Sequence, residues 1–106
     1  MLMIDVEAED GVAVIHCHGE LDVSVCGELR AAIQRVSTPD LALLRIDTTG
    51  LSFMDSSGLH CLVETEERCQ QHGTRLEVIP SRPVSRLLEV AGVADRFAGT
   101  SRECCR

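Results

Sequence analysis

The chain has 106 residues, the size of one domain, and its 44% hydrophobic and 25% charged content excludes a disordered or fibrous polypeptide. A net charge of −7, with arginine as the sole basic residue apart from histidine, argues against nucleic acid and anionic membranes as partners and for a protein with a basic surface. The longest apolar runs, such as LALL at 41–44, fall far short of the ~20 residues a membrane span requires, and MLMIDVEAED lacks the pattern of a secretory signal, so a cytoplasmic location is expected.

Taken in chain order, residues 3–8 and 12–18 are apolar-rich and separated by Glu9, Asp10 and Gly11, which predicts an opening β-hairpin. The second strand is expected to end at GELD, residues 19–22. From Val25 the apolar residues fall at 25, 29, 32, 33 and 36, helical spacing that Asp22 or Ser24 can cap. After a turn at 37–40, LALLRID at 41–47 reads as a strand covered on both faces, followed by a loop at 48–52.

Residues 56–72 form a second helix, with Leu59, Leu62, Val63 and Cys69 inward and Glu64, Glu66, Glu67, Arg68, Gln70 and Gln71 outward. Gly73 stops it, and RLEVI at 75–79 is the next strand. Pro83 suits an early helical position, with Val84, Leu87, Leu88 and Ala91 as the apolar stripe. A short last turn at 95–97 leads into a polar tail at about 99–106. The order β-β-α-β-α-β-α implies one α/β domain with a mainly parallel four-stranded sheet and the first strand as an antiparallel edge.

The stretch FMDSSGL, residues 53–59, places two serines between an acid and a glycine where a strand gives way to a helix. A hydrolase elbow needs GxSxG, and no assembled base accompanies these serines, so catalysis is not expected. A Walker loop needs a lysine, and the chain has none; GxGxxG is also missing, so no nucleotide cofactor is expected. His16 and His18 alternate onto one strand face with Cys17 on the other, too few converging ligands for a metal. Asp55 or Ser56 is a natural helix cap, and a serine held at a helix start is also an exposed site for a phosphate, whose charge the free N–H groups favour.

Six cysteines, with no CxxC pair, read as reduced thiols packed as small apolar residues. Cys69, Cys104 and Cys105 are the redox candidates, through a bond from the vicinal pair at the tail to Cys69.

GLSFMDSSGL, GELD and the closing RPVSRLLEVAGV together resemble the STAS domain of anti-sigma factor antagonists, over roughly residues 3–100. The resemblance implies a switch: the unphosphorylated domain binds an anti-sigma factor, usually an ATP-binding serine kinase, and so frees a sigma factor. The kinase then phosphorylates the serine after the aspartate and a serine phosphatase reverses it. Carried onto this chain, the acceptor is Ser56, with Ser57 as a secondary site, and the partner surface comprises Asp22, Asp55, Ser56, Ser57, Gly58 and His60. Where many members read SGLG, this chain has His60, expected to face solvent. The same fold could instead serve an ABC lipid-transport or stress-sensing complex as a binding module without phosphorylation. Self-association into a homodimer is compatible with either reading.

Overall fold

The structure is a computed structural model and describes residues 1–97. Its elements run β1 (Leu2–Glu9), β2 (Val12–Leu21), α1 (Cys26–Val36), β3 (Leu43–Met54), α2 (Ser56–His72), β4 (Arg75–Ile79) and α3 (Arg82–Val90), with a further helical turn at 94–97. One mixed sheet has the order β1-β2-β3-β4. β1 pairs antiparallel with β2, and the other two pairings are parallel. The expected single α/β domain with an antiparallel edge strand is therefore the architecture found.

The hairpin turns on Asp10 and Gly11, both at positive φ (52° and 80°). Two consecutive residues of this kind give the tight turn whose twist matches paired strands, which is why an Asp-Gly pair stands there.

Along β2, Ala13, Ile15 and Cys17 alternate into the core, matched by Leu44, Ile46 and Thr48 on β3 and Val78 on β4. α1 and α2 cover this face, α1 burying Leu29, Ala32 and Ile33 and α2 burying Cys61, Leu62 and Cys69. Buried Thr48 is satisfied by donating to the Ile79 carbonyl at 2.8 Å. The opposite face is polar. His16 lies between Asp47 and Glu7, and Arg45 bonds Glu77 at 2.7 Å. The cover expected on both faces of β3 is thus complete on one face only, since Arg45 and Asp47 keep the other partly wetted.

Both central strands run further than local composition implies. β2 continues through Gly19, Glu20 and Leu21, and residues 48–52, expected as a loop, belong to β3. The two extensions pair with each other, Gly19 with Leu51, Glu20 with Phe53 and Leu21 with Met54, across two register shifts. Gly19 and Gly50 have little reason to form strand locally; the cross-strand ladder and the burial of Leu21, Leu51 and Met54 decide it. Gly19 adopts φ 106°, and a Cβ there would meet the Met1 carbonyl oxygen at 2.3 Å, so this bulge needs glycine. β4 pairs only with Leu43–Asp47, and α3 packs against β3.

Glu66, expected outward on α2, is buried. Arg96, thirty residues on, bonds it at 2.5 Å and reaches Glu67 as well, while Phe97 enters the core beside them. α2 ends as expected on Gly73 at φ 72°, whose N–H returns to the last turn.

Candidate functional site

The DSSG segment lies at the carboxyl ends of the parallel strands β2 and β3, the place where loops of such sheets gather. Asp55 follows β3 in an extended conformation and caps α2: its carboxylate accepts from the N–H of Ser57 at 2.9 Å and of Gly58 at 3.3 Å. It also takes the Ser57 hydroxyl. These bonds, the Ser57 hydroxyl foremost, together with the Val23 amide, hold the Asp55 carboxyl below the usual carboxylate range, so it is ionised at neutral pH.

The two serines are consequently unlike. Ser57 is half-buried, its hydroxyl committed to Asp55 and approached by the Cys26 thiol at 3.6 Å. Ser56 is exposed, and its hydroxyl has no hydrogen-bond partner among the described residues.

Gly58 is buried rather than on the surface. A Cβ at this position would lie 2.6 Å from Met54 Cγ and 3.0 Å from two Leu21 carbons. Glycine lets the first turn of α2 sit directly on the ends of β2 and β3, which fixes where Ser56 emerges.

The loop after β2 is the second wall. Asp22 is half-buried and neither it nor Ser24 caps α1, whose N-cap, Val25, has no side-chain cap. The Asp22 carboxylate instead closes its own turn, accepting from the Ser24 amide at 3.0 Å and the Ser24 hydroxyl at 2.6 Å. Its backbone carbonyl accepts from Val25 and Cys26, both at 3.1 Å. This turn presents Val23, 76% exposed, and the Asp55–Leu21 backbone bond of 3.2 Å joins the two walls. Phe53, 48% exposed, adds apolar surface from β3. Sequence patterning had not marked Val23 or Phe53; a lone apolar residue in a polar turn was the available signal.

His60 faces solvent on α2, its ring 3.5 Å from Glu64, which in turn bonds Arg30 of α1 at 2.9 Å. Asp22, Asp55, Ser56 and Ser57 thus share one end of the sheet, with Gly58 beneath them. No group of metal-ligating side chains occurs among the described residues.

The four described cysteines, Cys17, Cys26, Cys61 and Cys69, are free and buried. Burial foremost, with Asp47 nearby, pushes the Cys17 thiol up to about 12, and burial likewise raises Cys61 and Cys69. Cys104 and Cys105 lie outside the described residues. No helix among the described residues is long and apolar enough to cross a membrane.

Residues 3–103 match the family model of the STAS domain. The chain belongs to the STAS domain family. An anti-sigma F factor antagonist from Paenibacillus polymyxa is 33% identical over 97 residues, covering 87% of this STAS domain chain and 80% of the relative. The crystal structure of an anti-sigma factor antagonist from Mycobacterium paratuberculosis superposes with a TM-score of 0.78 at 30% identity, covering 92% of this chain and 83% of the other. The fold is shared with the Bacillus cell fate determinant SpoIIAA in its phosphorylated form, TM-score 0.71 at 23% identity, covering 88% of this STAS domain and 86% of that chain.

Proposed function

We propose that this STAS domain is an anti-sigma factor antagonist controlled at Ser56. Unphosphorylated, it binds an anti-sigma factor with serine kinase activity and so frees a sigma factor in the bacterial cytoplasm. Phosphate on Ser56 ends the binding, and a serine phosphatase restores it. The chain is then a substrate of enzymes rather than one itself. Relatives named for this role support the reading.

The single observation that carries it is the division of labour set by Asp55. Its carboxylate occupies the Ser57 hydroxyl and the first helical N–H groups, leaving Ser56 as the exposed hydroxyl of the pair. Ser57 is correspondingly the poorer acceptor.

A phosphoserine brings about −1.5 to −2 charge at neutral pH, beside a carboxylate that is already ionised. Inside a tight interface, charge repulsion and desolvation of that group cost several kcal/mol, and each ~1.4 kcal/mol is tenfold in affinity. The Ser56 side chain makes no bond that holds the domain together, so the modification leaves the fold intact. The proposed surface combines the Asp22 turn, the start of α2 and the exposed side chains of Val23, Phe53 and His60.

The test is affinity capture from a lysate of the source bacterium on Ser56→Ala and Ser56→Glu baits, with bound proteins identified by mass. An anti-sigma factor kinase on the alanine bait alone, which phosphorylates the wild-type chain on Ser56 with ATP, is the expected result. Transporter subunits recovered on both baits would overturn the reading in favour of an unphosphorylated binding module.

A further inference from the structure

Helix α3 carries a surface that the Ser56 site leaves unused. Val84 and Leu88 face the core, whereas Val90 is 81% exposed and Leu87 is half-buried. With Met54, Arg82, Pro83 and Arg86 they line an open groove of about 560 Å³. Met54, the last residue of β3, forms the floor of the groove.

The charges at this groove are the reverse of the molecule's. The chain carries 17 acidic residues against 10 basic ones. Arg30, Arg45, Arg75 and Arg96 each pair with glutamate. Arg82 and Arg86, like Arg35 and Arg68, have no ion-pair partner among the described residues, and the lining of this groove holds two such arginines and no acid. They stand one helical turn apart, on the same side of α3, beside the apolar lining. Guanidinium groups so placed match carboxylates at the same helical spacing.

We propose that this groove docks an acidic amphipathic helix of a protein partner, its apolar side chains on Leu87 and Val90 and its carboxylates on Arg82 and Arg86. This is the helix-in-groove mode, with charge fixing the orientation. The docking itself rests on the groove and its charge, not on antagonism of an anti-sigma factor.

The probe is a capped, dye-labelled peptide of about 16 residues, long enough for helix to form on the groove, with leucines at helical spacing and glutamates on the flanks. A twin carries lysine for glutamate. Fluorescence anisotropy on the full chain is expected to show saturable binding of the glutamate peptide, weakened at least about tenfold by the pair Arg82→Glu and Arg86→Glu, and by Val90→Asp. The charge-reversed protein, with circular dichroism and Tm as for wild type, should prefer the lysine peptide by more than a variant reversed at Arg35 and Arg68, which carries the same net charge. Lack of saturable binding to the wild-type chain, or equal binding to the charge-reversed one, overturns the proposal. So does a concentration-dependent dimer in sedimentation that Val90→Asp dissolves, since a second copy of the chain would then fill the groove. Ser56-dependent capture of a kinase is a separate readout, so either reading can fail alone.

Discussion

The Asp55 carboxylate and the Ser57 hydroxyl are hydrogen-bonded to each other at the first turn of α2. Through that bond the aspartate is both the helix cap and the lock on the second serine. Asp55→Ala should therefore destabilise the domain by about 1 kcal/mol, within the usual 0.5–2 kcal/mol for a lost cap, and lower Tm by roughly 4–8 °C per kcal/mol. Asp55→Asn keeps an acceptor for the N–H groups and should lose less. Thermal unfolding of the two variants beside wild type checks this.

Gly58→Ala should destabilise by about 1–3 kcal/mol, the range for overpacking a filled core. The added Cβ meets the middle of the Met54 side chain at 2.6 Å and both the branch carbon and a methyl of buried Leu21 at 3.0 Å. Met54→Ala removes one of those contacts, so the cost of Gly58→Ala in that background should shrink. Urea unfolding of the four proteins in the cycle measures the coupling, and strict additivity would contradict the packing.

Acid should weaken the fold through Asp55 and Asp47. Both carboxyls are held below their ordinary range. For Asp47, burial works the other way, but hydrogen bonds from Thr49 and His16 outweigh it. A depressed folded value means the unfolded chain binds protons first, so the stabilisation is complete above the ordinary carboxylate pKa near 4 and is lost as pH falls through the folded values. The fall in Tm below pH 4 should be shallower for Asp55→Asn than for wild type.

The buried thiols should be inert in the native state. With Cys17 pushed up to about 12 and Cys61 and Cys69 also raised, little thiolate exists at pH 8, and burial blocks access. Iodoacetamide at pH 8 followed by mass mapping should leave all three unmodified until denaturant is added. Native modification of Cys69 would instead support its expected redox role.

Arg96→Ala should lower Tm more than the same change at an exposed arginine elsewhere, because it strands the buried Glu66 carboxylate. Glu66→Gln in the same background should recover part of the loss, read by thermal unfolding.

Much of this molecule was legible in the sequence because the deciding interactions are local. Asp55, Ser56 and Gly73 bound α2 through contacts within a few residues, and the Asp-Gly pair makes its own hairpin turn. The alternation of Ala13, Ile15 and Cys17 records one buried sheet face. What the tertiary structure decided depends on partners far along the chain. Residues 48–54 are strand because they lie against Gly19–Leu21, and Glu66 is buried because Arg96 arrives to neutralise it. Ser56 and Ser57 are neighbours of one type, and only the direction of the first helical turn, set by Gly58 seated on Leu21 and Met54, separates the free hydroxyl from the bound one. Local propensity describes the chain's immediate neighbours, whereas burial and hydrogen-bond satisfaction are properties of the packed whole.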